Sequence, residues 1–347
     1  MVSLRELLDF IQRKTQRYTF PKDGISCSLV GLGAYAEKVI IPTLFKTQDY
    51  ALTAVASTHP SRVEEIQKKF GISSGFTEFD KLLASPTDLV FITSKDSFHA
   101  QQIIKAARLG KNIFVEKPLC LTEEECQSIL RTIQQNQTKL TVGFSRTFAS
   151  LAQNLKEIVK KRTEPALVTY RFNQEHFVTK GKEWMPQEVG HVLHMFGHFI
   201  NFCSWLLDAV PLTVTACSLP PTKLFSHRPS DVLALVEMSD KSLVNIVFTT
   251  VGSPKQGREW IEVCQDGKTV VLDDFKELRF YGHHTQNASS LFSDKGQFQQ
   301  LKSFAQFLRG DTSARIVTLQ DGLNATRFSL SVLESIQKKK PITLTWK

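Results

Sequence analysis

Residues 25–143 alternate between short aliphatic or β-branched runs and longer amphipathic stretches, and this rhythm constrains the fold more than any other feature. Strands are predicted, in chain order, at 25–30, 51–56, 89–93, 112–115 and 140–143. Helices are predicted between them, near 35–47, 60–70, 97–110 and 122–136. Because continuous apolar strands separated by helices suit a parallel sheet covered on both faces, we expect a doubly wound α/β domain over residues 25–145.

The rhythm changes after about residue 146, where strand-like runs follow one another closely. A helix near 148–160, a strand at 166–172 and an apolar helix near 187–207 precede further runs at 212–217, 232–238, 243–251, 260–263 and 269–272. Turn signals such as Ser239-Asp240 and Asp266-Gly267 favour hairpins. We therefore expect an α+β domain over residues 146–347 with a large open, mainly antiparallel sheet. Two closing helices, near 297–309 and 319–337, should pack across its face or on the first domain, and residues 1–24 should form a helical extension and linker.

Composition excludes several classes of protein. The 347 residues suffice for about two domains, and 41% hydrophobic residues exclude a disordered chain. The net charge of +9 is diffuse, and the run Lys338–Lys340 ends a predicted helix, so no nucleic-acid partner is predicted. Six scattered cysteines without a Cys-x-x-Cys pair are read as reduced core thiols. A cytoplasmic protein without signal peptide or membrane span is expected.

The motif Gly31-Leu32-Gly33-Ala34-Tyr35-Ala36 follows the first predicted strand and opens the first helix. In such a turn Gly31 permits the tight bend, Gly33 lets a pyrophosphate approach the backbone, and Ala36 keeps helix and strand close. The start of the helix offers N–H groups to the phosphates. The position of the motif predicts a dinucleotide site, and a plain glycine turn is the alternative.

Coenzyme choice is read from the end of the second predicted strand, where an NAD enzyme would place an acid for the ribose 2′-hydroxyl. Ser57, Thr58 and nearby Arg62 stand there instead. Hydroxyls with an arginine could hold a 2′-phosphate, so NADP(H) is favoured over NAD(H). The alternative is a helix N-cap at Ser57 or Thr58 beside a solvent-facing arginine.

The fourth predicted strand runs into Glu116-Lys117-Pro118. A lysine at the carboxyl end of a parallel strand points into the crevice where ligands bind. Partial burial and a nearby nicotinamide cation could bring its pKa into the range useful for proton transfer. The tripeptide is common, and a structural role is the alternative.

The chain resembles the glucose-fructose oxidoreductase, inositol dehydrogenase and MocA-like family (Gfo/Idh/MocA), closest to the subgroup found as one half of bi-domain oxidoreductases. The resemblance covers residues 25–340 and is carried by these stretches: Gly31–Ala36, Ile92-Thr93-Ser94…His99-Ala100, Glu116-Lys117-Pro118-Leu119, Val142–Phe148, Gly190…His198-Phe199-Ile200-Asn201, Val271–Phe275 and Asp294-Lys295-Gly296.

This resemblance implies an NAD(P)-dependent dehydrogenase or reductase of sugars, cyclitols or sugar nucleotides, with a homo-oligomer formed through the open sheet. By similarity, Lys117 matches the family's active-site lysine and His198 its acid–base histidine. Hydride transfer at a carbinol carbon needs a matching proton transfer at its oxygen, which suits both groups. Further coenzyme contacts are implied for Thr93, Ser94, His99 and Glu116. Substrate contacts are implied for Arg146, Trp184, His194 and Lys295.

Two features depart from the family pattern. The family often has Asp four residues before the catalytic histidine, where this chain has His194, and the approach between Trp184 and Gly190 is about four residues short. His191, His194 and His198 share one helix face. An active-site face is favoured over buried structural histidines or a metal site, so no metal is predicted.

Arg146 and Lys295 have structural alternatives as well: an interdomain salt bridge and a loop cation. A dinucleotide-binding sensor or scaffold that has lost turnover is the alternative to an oxidoreductase, because the altered His194 and the short approach change the site.

Overall fold

The computed structural model describes residues 18–174, 190–220, 229, 231–253, 255–282, 287–290 and 292–346. The first half forms a six-stranded parallel sheet in the order β3-β2-β1-β4-β5-β6. Its strands are β1 (Ile25–Val30), β2 (Tyr50–Ala56), β3 (Ser74–Phe76), β4 (Leu89–Ile92), β5 (Asn112–Val115) and β6 (Leu140–Val142). Its helices are α1 (Ile41–Thr47, continuing a π-helical turn at Ala36–Ile40), α2 (Pro60–Phe70), α3 (Phe79–Leu83), α4 (His99–Arg108) and α5 (Glu123–Asn136).

The chain adds β2 and β3 on one side of β1 and then β4, β5 and β6 on the other, so the strand order reverses between β1 and β4. Ligands of open parallel sheets bind beyond the carboxyl ends of the strands at such a point. The turn after β1 and the residues that follow β4 and β5 therefore border one crevice, and each of them carries a residue named from the sequence.

The second half forms a nine-stranded sheet in the order β14-β13-β12-β11-β7-β10-β9-β8-β15. Its strands are β7 (Leu167–Asn173), β8 (Pro211–Ser218), β9 (Val232–Met238), β10 (Leu243–Thr249), β11 (Glu259–Gln265), β12 (Lys268–Asp273), β13 (Glu277–Tyr281), β14 (Ala288–Ser289) and β15 (Ile342–Thr343). Among the strands of this sheet that the structure describes, only β7 and β10 pair in parallel. The two expected hairpins, β9–β10 and β11–β12, are confirmed.

The helices of the second half are α6 (Ser150–Val159), α7 (Gly190–Leu207), α8 (Gln297–Leu308) and α9 (Leu319–Lys338). Helix α7 lies on the inner face of the sheet, where Phe199 meets Tyr170 at 4.9 Å between ring centroids. Helix α9 packs beside α7, with Ala325 close to Gly197. Helix α8 returns to the first sheet, because Leu301 and Phe304 join the core around Leu29 and Phe91. Of the two closing helices, α8 therefore packs on the first sheet and α9 packs against α7 of the second half.

Short elements escaped prediction, namely β3, α3, β13, β14 and β15. Strand β3 has only three residues with glycine at its centre, which leaves no alternation to recognise. The reading of all cysteines as core thiols was wrong in part: Cys217 is exposed and Cys264 half-buried, although all six are free. Among the described residues, no helix is long and apolar enough to cross a membrane.

Candidate functional site

The glycine turn after β1 has room for a ligand at one position and none at another. Gly31 has a φ of +93°, and a Cβ there would lie 2.3 Å from the backbone nitrogen of Ser94. At Gly33 a Cβ would meet no atom within 4 Å. Gly31 is thus required by its contact with the loop after β4, whereas the Gly33 backbone lies open to an approaching group. This arrangement fits a pyrophosphate over the turn, where Ala34, Tyr35 and Ala36 start the helix.

The loop after β4 is bonded to the glycine turn. The Thr93 hydroxyl donates to the carbonyl oxygens of Val30 and Gly31 at 3.0 and 2.8 Å. The Ser94 hydroxyl donates to Gln102 at 2.6 Å. Buried His99 holds this loop to the next one, because its ring nitrogens lie 2.7 Å from the Pro118 carbonyl oxygen and 3.2 Å from that of Ser94. Of the coenzyme residues inferred by resemblance, His99 therefore contacts the protein backbone that shapes the crevice.

Arg62 lies against the glycine turn, and its guanidinium is already bonded. Its Nε donates to the Leu32 carbonyl oxygen at 2.8 Å. The two terminal nitrogens reach Glu65 at 2.7 Å and Glu37 at 2.5 Å. Ser57 is half-buried and Thr58 exposed after β2, and each bonds to His59. The hydroxyls and the guanidinium thus border one end of the crevice, with Glu37 as a competing partner for Arg62.

Glu116 is buried directly after β5, and its carboxylate lies against Gly143. A Cβ at Gly143 would lie 2.7 Å from a carboxylate oxygen of Glu116, so glycine is the residue that leaves space for this side chain. Burial raises the pKa of Glu116, against the lowering effect of the neighbouring Lys117. The carboxyl group is therefore a second titratable neighbour of the lysine.

Lys117 reaches across the crevice to α7. Its Nζ lies 3.0 Å from the Nε2 of His194 and donates to the carbonyl oxygen of the same residue at 3.0 Å. The other ring nitrogen of His194, Nδ1, lies 2.7 Å from a carboxylate oxygen of Asp96. Lys117 and His194 also border a small cavity with Phe144 as an apolar wall. Burial lowers the pKa of Lys117, whereas Asp96 and Glu116 oppose this shift.

His198, one turn further along α7, has a different partner. Its Nε2 lies 2.8 Å from a terminal nitrogen of Arg146, which can only donate. The ring is therefore neutral and carries its proton on Nδ1, which has no hydrogen-bond partner among the described residues. Burial, with the charge of Arg146, lowers the pKa of His198 well below its usual value.

Arg146 is fixed by a fully buried carboxylate, Glu259, at the start of β11. The two groups form a double hydrogen bond of 2.5 and 2.8 Å. Glu259 also accepts from Tyr170 at 2.6 Å and from Lys295 at 2.8 Å. Burial disfavours the charge of Glu259, but Arg146 and Lys295 hold its pKa well below the usual range. Both cations inferred as substrate contacts thus meet on one protein carboxylate.

The three histidines of α7 do not converge. His191 is buried with its ring 5.3 Å from that of Phe248, and burial lowers its pKa to about 4. His194 faces Lys117, and His198 faces Arg146. Within the part of the chain that the structure describes, no three metal-ligating side chains cluster. Trp184 and the short approach to α7 lie outside the described residues.

Sequence reasoning missed three participants: Asp96, Tyr170 and Glu259. Asp96 begins a short 3₁₀ turn, Asp96–Phe98, that follows β4, and nothing in its local pattern distinguishes it from a helix-capping acid. Glu259 begins a strand 113 residues beyond Arg146. Glu259 alone carried a usable signal, because a carboxylate on the buried face of a strand requires a cation.

Comparison with known proteins finds oxidoreductases that match part of the chain. The model of an oxidoreductase family with an NAD-binding Rossmann fold, GFO_IDH_MocA, matches residues 25–144. The scyllo-inositol 2-dehydrogenase (NAD(+)) of Bacillus subtilis is 32% identical over 128 residues, which are 36% of each chain. Oxidoreductase P35 of Formosa agariphila is 26% identical over 136 residues, 39% of this chain and 42% of that protein. The chain therefore matches less than half the length of these curated relatives.

Solved structures match over nearly the whole chain, at low identity. Scyllo-inositol dehydrogenase of Lactobacillus casei, with bound NAD(H) and scyllo-inositol, has a TM-score of 0.76 and 22% identity over 92% of this chain and 99% of its own. The WlbA dehydrogenase of Bordetella pertussis, in complex with NADH and UDP-GlcNAcA, has a TM-score of 0.79 and 17% identity over 93% and 100%. At this identity the likeness establishes the two-sheet fold.

Proposed function

We propose that the chain is an oxidoreductase of the Gfo/Idh/MocA family, whose model matches residues 25–144, and that it transfers a hydride between a nicotinamide coenzyme and a carbinol or carbonyl carbon. The substrate class is a sugar, sugar nucleotide or other polyhydroxylated molecule, as the names of the relatives suggest. The observation that carries this proposal is the contact of Lys117 with His194 of α7, at the edge of the sheet where the turn after β1 leaves the Gly33 backbone open.

The residues have separate roles in this proposal. The turn at Gly31–Ala36 binds the pyrophosphate, and the loops around Thr93 and Glu116 border the nicotinamide, which supplies or accepts the hydride when bound. Lys117 exchanges a proton with the reacting oxygen, because its lowered pKa brings the amine closer to neutral pH. We expect His198, one turn beyond His194 on α7, to contact the substrate. Arg146 and Lys295, held by Glu259, provide positive charge at the substrate end of the crevice.

For the coenzyme, we infer a preference for NADP(H). Ser57 and Thr58 offer hydroxyls after β2, and Arg62 stands beside the glycine turn. A 2′-phosphate would replace Glu37 as a partner of Arg62. Arg62→Ala should weaken NADPH binding by about tenfold and leave NADH binding unchanged, since a charged hydrogen bond contributes about 1.5–3 kcal/mol. Glu37→Gln should strengthen NADPH binding. Equal effects on both coenzymes would contradict the preference.

A homo-oligomer through the open sheet face is the second part of the proposal. Leu167, Leu233, Leu235 and Leu243, on neighbouring strands, are each 40–50% exposed. Contiguous exposed leucines of this kind mark interaction surfaces. Sedimentation velocity should show an oligomer that dissociates in Leu233→Lys/Leu235→Lys, whereas Leu109→Lys, exposed after α4, should not change it. A monomeric parent protein would disprove this part.

The activity is tested by coenzyme titration followed by turnover. NADPH and NADH fluorescence measures binding, and a panel of polyols, sugars and sugar nucleotides measures reaction. Lys117→Ala should abolish turnover while coenzyme still binds. Coenzyme binding without any turnover would favour a sensor or scaffold, and absence of binding would refute the dinucleotide site itself.

A further inference from the structure

We propose that Asp96 and His194 are positioning residues that relay the proton of Lys117, and that His198 is not the acid–base group. This inference rests on the proposed hydride transfer and adds two residues to its proton path. Its basis is the unbroken series Asp96–His194–Lys117, with contacts of 2.7 and 3.0 Å.

The protonation of His194 follows from its neighbours. The Asp96 carboxylate only accepts hydrogen bonds when ionised, so Nδ1 of His194 donates to it. Although burial disfavours the charge of Asp96, this hydrogen bond lowers its pKa. Nε2 of His194 therefore presents a lone pair to Lys117, which donates one N–H there and another to the carbonyl oxygen of His194. The third N–H of the ammonium points to the Met195 sulfur at 3.9 Å, a weak acceptor that the reacting oxygen can replace.

The proton balance is then explicit for oxidation of a carbinol. The hydride leaves carbon for the coenzyme, and the hydroxyl proton passes to the neutral amine of Lys117. Lys117 passes a proton on to Nε2 of His194, and Asp96 stabilises the imidazolium that forms. Reduction of a carbonyl runs the same transfers in reverse. Such a carboxylate–imidazole pair stabilises the charged ring and fixes its tautomer.

His198 cannot accept a proton in the same way. Its Nε2 lone pair is occupied by Arg146, and Arg146 is held in turn by Glu259. A guanidinium does not release its proton at accessible pH. Only the Nδ1–H group is left, and it can donate a hydrogen bond to a substrate oxygen but does not transfer its proton. His194 can therefore accept a proton from Lys117, whereas His198 has no free lone pair to accept one.

The first test measures the protonation of His194 in the holoenzyme by ¹⁵N NMR of its imidazole. We expect the Nδ1–H tautomer in the parent protein. Asp96→Asn should lower the pKa of His194, and Lys117→Met should raise it, because each change removes one of the charges that face the ring. Asp96, Lys117 and His99 are the charged or titratable groups that perturb it. An Nε2–H tautomer, or a pKa that neither variant changes, would overturn the relay.

The second test measures the pH profiles of kcat and KM. Asp96→Asn and His194→Gln should each lower kcat by about 10- to 100-fold, below the ~10²–10⁴ of a lost acid or base, with coenzyme KM unchanged. The double variant should be no worse than either single one, because the residues act as a unit. His194→Asp should recover part of kcat by placing a carboxylate next to Lys117. Asp96→Asn should also move the limb of the kcat pH profile that reports the titration of Lys117 to lower pH, since Asp96 raises the pKa of the lysine.

The matched control is Asp80→Asn, which breaks the 2.7 Å ion pair with Lys105 on the outside of the same domain and should leave both profiles unchanged. Parent turnover combined with unaltered kcat in Asp96→Asn and His194→Gln would refute the relay and leave the proposed function standing. A parent protein that binds coenzyme but turns over no substrate would count against the function, and the NMR titration would then decide whether the three groups are coupled.

Discussion

Two clusters of charged groups contact neighbouring turns of α7, one at His194 and the other at His198. They differ in how many hydrogen bonds hold each charged group. In the relay cluster, Lys117 contacts the ring and the carbonyl oxygen of His194, and His194 makes one contact with Asp96. Burial lowers the pKa of the lysine and of the histidine. In the buried cluster, Glu259 accepts four hydrogen bonds, from Arg146, Lys295 and Tyr170. The first cluster can change its protonation state near neutral pH, whereas the second keeps its charges fixed.

The comparison teaches that a carboxylate alone does not make a proton-transfer site. Glu259 is saturated by permanent cations, so its pKa is held low despite complete burial. His198 is recruited into this fixed network through Arg146. His194, by contrast, directly contacts both the Asp96 carboxylate and the Lys117 amine.

The largest expected effect comes from removing the amine of the relay cluster. Lys117→Met should reduce turnover by about 10²–10⁴-fold, the usual contribution of a positioned acid or base. The free energy of unfolding should not fall, because a half-buried ammonium with a lowered pKa is replaced by an apolar chain of similar length. Steady-state kinetics with urea unfolding checks both. Near-parent turnover of this variant would show that Lys117 is not the proton-transfer group, and the contrast between the two clusters would then be wrong.

Removing the carboxylate of the buried cluster should act on stability instead. Glu259→Gln leaves Arg146 and Lys295 without their buried counter-charge, and breaking a buried pair costs about 3–5 kcal/mol of unfolding free energy. Urea unfolding measures the loss. The exposed pair Glu78–Lys81 supplies the control, since disrupting a surface pair should change stability by about 0–1 kcal/mol. Similar losses at both sites would show that burial of Glu259 has no energetic consequence.

A pH titration of stability should reveal the neutral ring of His198. Its folded pKa lies well below the unfolded value of about 6.5, because burial and Arg146 disfavour the charged ring. Below pH 6.5 the unfolded chain binds a proton that the folded chain does not, so stability falls as pH falls, by about 1 kcal/mol per pH unit. His198→Leu should flatten this slope between pH 6.5 and 5. Parallel slopes in parent and variant would mean that His198 is charged in the fold.

A further effect on stability concerns the tyrosine of the buried cluster. Tyr170→Phe removes one of four hydrogen bonds to Glu259 and keeps the ring against Phe199. We expect a loss of about 1.5–3 kcal/mol in unfolding free energy, typical of a hydrogen bond to a charged group. Turnover should change little, because the Arg146–Glu259 pair is retained. A loss as large as that of Glu259→Gln would assign the main role to the tyrosine.

Much of the fold was predictable from local pattern. Strand β1, helix α2, β5 and β9 have the predicted bounds, because alternating or continuous apolar runs and flanking turn residues mark them. The predicted antiparallel character of the second sheet is confirmed, with the parallel β7–β10 pair as an exception that no local signal announced. Elements of two or three residues, such as β3 and β15, lack enough residues to show a period.

Sequence by itself determined the order and type of the main elements and the glycine turn, and it predicted that Lys117 and the α7 histidines share one crevice. Tertiary structure alone decided which partner each of these groups has. Asp96 and His194 are 98 residues apart, and Arg146 and Glu259 are 113 apart. Periodicity and turn chemistry act over a few residues. The pairing of distant charges is set by how α7 and the two sheets pack, because only burial makes an unpaired charge costly enough to require its partner.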